Sequence, residues 1–297
     1  MVLFVVVCLF LAGWASTTRF SVPTAWLRWA DLYVVNIALP AVIVAKVSQV
    51  EVTSKSVTPV FIAWSAMATC AIAVVALGQF LKWSKARIGA LLLVGVLGNT
   101  SFLGIEAVRT LIGDSAVAAA VTYDQIGTFL ALSLYGSWVA GRFGSAETGW
   151  RPVIQRLSRF TPFLALLLSF ALRPVDVPDV VLSSMNGIGL TVAPVAMGVL
   201  GVRFTFRWSN HMKWVVVSTL FVKMVAVPVA VFLMALLVGD VHGAEWSASI
   251  LQSAAPPMVT AGIVAIAAGL DEEVVVAVVG VGTLVSFVTL PLFALIL

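Results

Sequence analysis

Long apolar segments separated by short polar connections make up this chain. A helix that crosses a bilayer needs about 20 mainly apolar residues. By that measure the pattern predicts an all-α polytopic membrane protein with ten transmembrane helices, several of them short. The predicted spans are 1–15, 30–48, 58–80, 88–110, 116–140, 160–173, 179–201, 212–238, 246–268 and 273–297.

Two of these spans, the fourth and the ninth, are interrupted by polar and helix-breaking residues. The first interruption, 98–106, reads Gly-Asn-Thr-Ser-Phe-Leu-Gly-Ile-Glu, and the second, 252–260, reads Gln-Ser-Ala-Ala-Pro-Pro-Met-Val-Thr. Irregular backbone inside a bilayer is tolerated only where protein or a water-filled cavity surrounds it. In secondary transporters such paired interruptions mark the substrate site. We therefore predict that both helices break, near 99–103 and 254–258, and cross near the bilayer midplane.

The two halves of the chain echo each other at a nearly constant offset. The matching pairs are Val22-Pro23 with Val177-Pro178, Pro40 with Pro194, Ser101-Phe102 with Pro256-Pro257, and Gly127-Thr128 with Gly282-Thr283. Because each half has five predicted spans, an odd number, the second half must insert in the opposite orientation, as an inverted repeat. The predicted organisation is a first five-helix repeat at 1–145, a cytoplasmic linker at 146–158 and a second, inverted repeat at 159–297.

Composition and charge place the chain in a membrane. Its 297 residues are 61% hydrophobic and 10% charged, a balance that soluble domains do not have. Lys and Arg concentrate in the odd-numbered connections, which puts those connections in the cytoplasm and both termini outside. We expect an integral protein of the bacterial inner membrane that binds no nucleic acid, because the basic residues form no stripe. Residues 1–14 lack the positive start of a signal peptide and are expected to remain as the first span. The ninth connection, Asp271-Glu272-Glu273, should also be cytoplasmic although it is acidic.

The first interruption carries a family resemblance. The stretch 99–105, Asn-Thr-Ser-Phe-Leu-Gly-Ile, resembles the Asn-Thr-x-x-x-Gly-(Leu/Ile)-Pro crossing of the auxin efflux carrier family, which includes plant PIN-FORMED carriers and bacterial permeases. Similar stretches are Thr191-Val192-Ala193-Pro194, Ala255-Pro256-Pro257 and Thr289-Leu290-Pro291-Leu292. The resemblance implies two inverted five-helix repeats, with broken helices that cross at the substrate site. It also implies a scaffold of spans 1, 2, 6 and 7 and a moving domain of spans 3–5 and 8–10. One departure is Glu106, where the family usually has proline.

The candidate substrate-binding residues cluster at the two interruptions. The amide of Asn99 offers donors and an acceptor to a substrate carboxylate, or alternatively satisfies backbone groups that the broken helix frees. Gly104 is expected to allow a close backbone approach. Asn36 is a further candidate, although a hydrogen bond between helices would also explain it. The predicted set is Asn99, Thr100, Ser101, Gly104, Pro256, Pro257, Thr260 and Asn36.

Three charged residues within spans are candidates for proton or ion coupling, because charge inside a membrane is costly and usually functional. Glu106 could carry a proton or bind a cation, or Arg109, three residues on, could neutralise it. Asp124 could accept a proton or make structural hydrogen bonds. Lys223 could attract an anion, but a lasting ion pair with Asp124 or Glu106 is the favoured interpretation.

The sequence shows no metal-ligand cluster, nucleotide-binding loop or catalytic triad, so we predict no catalytic residue, metal or cofactor. The predicted function is secondary active or facilitative transport of a small, carboxylate-type organic anion by elevator-like alternating access. A sodium- or proton-coupled symporter of the bile-acid-symporter type is the alternative. The expected partners are the organic anion, a proton or sodium ion and the lipid bilayer; whether the protein forms a homodimer stays open.

Overall fold

The structure, a computed structural model, describes residues 2–17, 22–47, 57–144, 158–172, 175, 177–204, 208–238 and 240–297. These residues form helices, turns and one isolated β-bridge, with no strand among them. The helices are α1 Val2–Ser16, α2 Thr24–Lys46, α3 Val57–Phe80, α4 Lys85–Val94, α5 Ile105–Leu111, α6 Asp114–Phe143, α7 Thr161–Leu172, α8 Asp179–Arg203, α9 Asn210–Val238, α10 Ala244–Ser253, α11 Val259–Ala267 and α12 Glu272–Ala294. The predicted all-helical class is thus confirmed for the described residues. Apart from Ser158, the predicted linker at 146–158 lies outside them.

Six of these helices are long and apolar enough to cross a membrane, namely α2, α3, α6, α8, α9 and α12. The bounds follow the predicted spans closely, with one clear difference. The second span was predicted to start at 30, whereas α2 starts at Thr24, immediately after Pro23. Arg28 and Asp31 do not fit an apolar span, but they continue the helix without interruption.

Side chains cap the amino ends of several helices. The Ser84 hydroxyl accepts a hydrogen bond from the Arg87 N–H (3.2 Å) at the start of α4. The carboxylate of Asp271 does the same for the N–H of Val274 (3.2 Å) at the start of α12. Such caps satisfy N–H groups that the first helical turn leaves free.

Wide turns of π-helix interrupt two of the long helices just before a proline. In α2 the segment Val34–Ala38 is π-helical and precedes Pro40. In α9 the segment Val222–Ala226 is π-helical and precedes Pro228. Proline lacks an N–H and its ring crowds the carbonyl four residues earlier, so the chain widens by one residue to keep its other hydrogen bonds. Such bulges frequently occur at functional sites, and these two contain Asn36 and Lys223.

The short helices on either side of the two interruptions form the interior of the molecule. Residues 89–94 of α4, 246–253 of α10 and 259–265 of α11 are all buried. Long helices surround them, and α3 and α9 expose large apolar side chains such as Phe61 and Leu237 on their outer faces. Around this interior, α2 packs along α7 and α8, and α8 packs along α1.

Candidate functional site

The two interruptions lie against each other as a short antiparallel pair. Gly98 and Pro257 form the bridge. The Asn99 N–H donates to the Pro256 carbonyl (2.7 Å), and the Met258 N–H donates to the Leu97 carbonyl (2.9 Å). These reciprocal bonds satisfy backbone groups that broken helices leave unpaired, as a membrane interior requires. We call this feature the paired breaks, defined by residues 95–99 and 254–258.

The first break lies slightly earlier than predicted. The sequence analysis placed it near 99–103, but α4 already ends at Val94, and helical backbone resumes as the π segment Thr100–Gly104. Gly95, which caps α4, and Gly98, in the bridge, explain the shift, because glycine destabilises a helix interior. The second break falls at 254–258, as expected from Pro256 and Pro257. Three helix ends therefore meet at the paired breaks: the carboxyl ends of α4 and α10 and the amino end of α11.

The side chain of Asn99 is a buried polar group at the paired breaks, and its amide nitrogen is unpaired. The residue is 1% exposed, and its Nδ2 has no hydrogen-bond partner among the described residues. Its backbone carbonyl accepts bonds from the N–H groups of Leu103 (3.2 Å) and Gly104 (3.0 Å). Buried polar groups are almost always paired. An unpaired buried amide next to a break in two helices is thus a donor that a ligand acceptor could satisfy.

Asp124 joins the start of the helical segment after Asn99 to two other helices. It has no exposed surface, and its Oδ1 accepts hydrogen bonds from the hydroxyls of Thr100 (2.7 Å) and Ser101 (2.5 Å). Its Oδ2 lies 3.7 Å from the Nζ of Lys46, at the end of α2. Asp124 itself lies in the π segment Tyr123–Phe129 of α6. The structure therefore brings Thr100, Ser101 and Asp124 together and adds Lys46, which the sequence analysis missed.

Gln252 is a second missed residue. Its Nε2 donates to the Ala120 carbonyl (2.9 Å), while its buried Oε1 has no partner among the described residues. This amide occupies space that a side chain at position 104 would need, since a Cβ on Gly104 would lie 1.9 Å from the Oε1. The close approach expected at Gly104 is thus made to Gln252. The sequence did contain a signal for Gln252, because this residue is the first of the second interruption, 252–260.

Lys223 lies at the carboxyl ends of the interrupted helices. It is 5% exposed, and its ammonium donates to the carbonyl of Ser253, the last residue of α10 (3.4 Å). A Cβ on Gly98 would lie 3.2 Å from the same Nζ. The carboxyl end of a helix carries partial negative charge, which stabilises a buried ammonium there.

The predicted ion pair of Lys223 with Asp124 or Glu106 is wrong for the described residues. Asp124 faces Lys46 instead, and Glu106 pairs with Arg109, as the neutralising alternative proposed. Both side chains of the latter pair are more than two-fifths exposed, and Arg109 also approaches Asp114 (3.7 Å). Spacing of three residues on one helix favours the local pair for Glu106, and no element brings Lys223 within 4.0 Å of a described carboxylate.

The remaining candidates occupy different places. Pro256, Pro257 and Thr260 are buried at the second break and in the first turn of α11. Asn36 is exposed, and its Oδ1 accepts a hydrogen bond from the hydroxyl of Thr161 at the start of α7 (2.5 Å). Asn36 therefore makes the hydrogen bond between helices that the sequence analysis gave as the alternative to a substrate role. Among the described residues there is no group of three His, Cys, Asp or Glu that could hold a metal ion.

Two residues of the acidic ninth connection form ion pairs with arginines. The Nε of Arg87 lies 2.9 Å from Asp271, and the Nε of Arg203 lies 2.9 Å from Glu272. Arg203 also makes a two-pronged bond to Asp31, at 3.0 and 2.7 Å. The acidic residues of this connection therefore lie at the same end of the molecule as basic residues of the third and seventh connections.

Comparison with known proteins adds to this geometry. Residues 1–148 and 150–294 match the family described as membrane transport protein. The whole chain is 24% identical to an uncharacterized transporter of Methanocaldococcus jannaschii, over 98% of that relative. It is 26% identical to an uncharacterized transporter of Methanothermobacter thermautotrophicus, over 67% of this chain and 65% of the relative. The chain therefore belongs to the membrane transport protein family, the auxin efflux carrier-like transporters that its first interruption resembles.

Proposed function

We propose that this protein is a secondary transporter for a small carboxylate-type organic anion, which binds at the paired breaks. The observation that carries the proposal is the buried, unpaired Nδ2 of Asn99. An amide nitrogen offers two N–H donors to a carboxylate. The ammonium of Lys223 and the amino end of α11 add positive charge at the same breaks.

The proposed architecture counts α4 with α5, and α10 with α11, as single interrupted spans, which gives ten spans in two inverted repeats. The reciprocal bonds of Asn99 and Met258 across the breaks support this count, since two halves related by an approximate two-fold axis would pair in this way. The odd-numbered connections would face the cytoplasm of a bacterial inner membrane, with both termini outside. Cysteine labelling of intact cells at position 242, in an even-numbered connection, and at position 145 would test this orientation.

The proposed mechanism is alternating access between two groups of helices. One group is α1, α2, α7 and α8, which pack on each other; the other comprises the remaining helices. Among the described residues, two ion pairs join the groups, Lys46 with Asp124 and Arg203 with Glu272. Movement of one group against the other would carry the paired breaks, and an anion bound there, relative to the membrane.

A second candidate function, sodium- or proton-coupled symport, is favoured by the surroundings of Asp124. Asp124 is a buried carboxylate that already accepts hydrogen bonds from the hydroxyls of Thr100 and Ser101. Such a group is suited to hold a proton or a small cation. In this alternative the cation would compete with the Lys46 ammonium. Dependence of anion binding on sodium, or on pH, would separate coupled from uncoupled transport.

The test is a binding screen on purified protein. Mono- and dicarboxylates would be added with and without sodium and across pH, and the melting temperature followed. We expect at least one carboxylate to raise it in the wild type, through binding to the folded state, and not in Asn99→Ala. Asn186→Ala, an exposed site on α8, is the matched control. Equal stabilisation of Asn99→Ala and wild type would mean that the breaks are structural and the anion binds elsewhere.

A further inference from the structure

A cavity of about 430 Å³ lies on the outer side of the molecule, between α3, α4 and the end of α6. Two of the residues that line it, Ile72 and Trp138, are exposed, so the cavity opens towards the lipid of the membrane. Among the described lining residues, none comes from α2, α10 or α11, and none belongs to the paired breaks. We call this cavity the outer groove, defined by its walls at 71–79 of α3 and 135–143 of α6.

The outer groove has an apolar inner part and a polar outer end. Gln79, near the end of α3, and Phe143, the last residue of α6, both line it, so the two helices end on the same side of the molecule. From Ala71 to Gln79 the groove follows α3 for about 12 Å. The hydroxyl of Tyr135 is already bonded to the Leu92 carbonyl (2.9 Å), so this residue contributes an apolar ring to the lining. An acyl chain fits such a lining, because close contacts between apolar atoms are stabilising.

Two basic residues lie at the outer end of the groove. The N–H of Lys82 donates to the Gln79 carbonyl (3.3 Å), which places Lys82 directly beyond α3. The guanidinium carbon of Arg142 lies 5.7 Å from the centre of the Phe143 ring. Both basic residues are exposed, and no described carboxylate lies within 4.0 Å of either side chain. The outer end therefore carries positive charge that no acidic residue of the described chain neutralises.

The backbone at Lys82 favours another residue type. Its φ of 54° lies in the left-handed region, where glycine or asparagine usually follows the end of a helix. Lysine at this position therefore costs backbone free energy that glycine would avoid. An anionic ligand for the ammonium would offset that cost.

We propose that the outer groove binds one anionic phospholipid, whose phosphate lies between Lys82 and Arg142. An acyl chain of this lipid lies along Val75 and Trp138. Basic pockets between membrane helices recognise anionic head groups, and a phospholipid carries its acyl chains next to its phosphate, just as the apolar groove adjoins its basic end. Both basic residues belong to connections rich in Lys and Arg, so the lipid comes from the leaflet on that side. The inference goes beyond the proposed function and requires neither a substrate at the breaks nor a movement of helices.

The experiment is native mass spectrometry of the delipidated full chain, titrated with phosphatidylglycerol or with phosphatidylcholine of the same acyl chains. Each basic residue near a membrane surface strengthens binding of an anionic lipid about fivefold. We therefore expect the wild type to bind phosphatidylglycerol about tenfold or more tightly than phosphatidylcholine. Arg142→Gln and Lys82→Gln should each reduce this preference about fivefold. Lys213→Gln is the control, because Lys213 is an exposed basic residue at the start of α9 and does not line the groove.

A second variant tests the apolar part of the groove without altering charge. Ala76 lines the groove and is exposed, so Ala76→Trp fills the groove without displacing the core of the protein. This variant should abolish the tight binding of one phosphatidylglycerol. Leu237→Trp is the matched control, since Leu237 is an exposed apolar residue of α9, away from the groove.

Three results would overturn the proposal. Equal affinities of the wild type for the two lipids would do so, as would an effect of Lys213→Gln as large as that of Arg142→Gln, because the charge would then act without a site. Tight phosphatidylglycerol binding that survives Ala76→Trp would place the lipid outside the groove. The same spectra report the oligomeric state, and a dimer that becomes a monomer in Ala76→Trp would make the groove a contact between two copies of this chain instead of a lipid site.

Discussion

The Nζ of Lys46 lies 3.7 Å from the Oδ2 of Asp124, a carboxylate with no exposed surface. This contact joins the end of α2 to the middle of α6, next to the hydroxyls of Thr100 and Ser101. The ammonium also lies 4.9 Å from the centre of the Phe129 ring, where a cation is attracted by the face of the aromatic ring. The cation that neutralises the buried carboxylate thus comes from the other helix group, and a movement between the groups would separate the two charges.

We expect Lys46 and Asp124 to be energetically coupled. Asp124→Asn leaves the Lys46 ammonium without its carboxylate, and Lys46→Met leaves a buried carboxylate unpaired. The double variant should therefore be less destabilised than the sum of the two single changes predicts. A double-mutant cycle of unfolding free energies should give a coupling of at least about 1 kcal/mol. The exposed pair of Glu106 and Arg109 is the control, with a coupling below about 1 kcal/mol. Additive effects of Lys46→Met and Asp124→Asn would contradict an ion pair in the folded state.

Lys223 should affect the stability of the protein through its contact with α10, and the affinity for anions through its charge. Lys223→Met removes the ammonium from the Ser253 carbonyl, so the melting temperature should change only modestly, since an uncharged side chain also avoids the burial of a charge. Affinity for a carboxylate identified in the screen should fall about tenfold or more. Lys213→Met, at an exposed position of α9, serves as the control. Carboxylate affinity that is the same in Lys223→Met and wild type would remove Lys223 from the proposed site.

Local features of the fold were predictable because single residues specify them. Glycines and prolines inside apolar segments predicted both breaks, and the apolar segments predicted the all-helical class. Pro40 and Pro228 were visible too, but whether a proline produces a kink or a π turn depends on how neighbouring helices pack. The ten-span inverted arrangement stays a prediction.

The partners of the charged residues were not predictable in the same way. The Asp31–Arg203 bond joins residues 172 positions apart, and the Lys46–Asp124 pair depends on the register of α2 against α6. Sequence spacing finds partners on one helix, as it did for Glu106 and Arg109. It contains no direct information on which faces of distant helices meet, and for that reason Lys223 was given the wrong partner.

Gly104→Ala tests the contact with Gln252. The added Cβ would lie 1.9 Å from the Oε1 of a side chain that is buried and tied to the Ala120 carbonyl. Because Gln252 has no exposed surface, we expect Gly104→Ala to destabilise the protein by about 1–3 kcal/mol, the usual cost of overpacking. Adding Gln252→Ala should restore part of the loss, as measured by thermal unfolding. Gly187→Ala is the control, since no atom lies within 4 Å of a Cβ built there. A Gly104→Ala protein as stable as Gly187→Ala would mean that Gln252 adopts another conformation.

Arg203 should act differently on its two acidic partners. Asp31 is 7% exposed and receives two bonds from the guanidinium, within the group formed by α2 and α8. Glu272 has a half-exposed side chain and belongs to the other group. Removing one partner of a buried pair leaves an unpaired charge and typically costs about 3–5 kcal/mol, whereas exposed pairs contribute about 1 kcal/mol or less.

We therefore expect Arg203→Gln to lower the unfolding free energy strongly, Glu272→Gln to change it little, and Asp31→Asn to rescue Arg203→Gln in part. In the proposed alternating access, Glu272→Gln should instead alter the balance between the two positions of the helix groups, because, of the two ion pairs that Arg203 makes, the one to Glu272 joins the groups. Accessibility of a single cysteine at position 140, where Ala140 of α6 lines a cavity that also borders α2, would report that balance in an otherwise cysteine-free protein. A labelling rate unchanged by Glu272→Gln, together with unchanged stability, would show that the Arg203–Glu272 bond stabilises neither the fold nor one arrangement of the groups over the other.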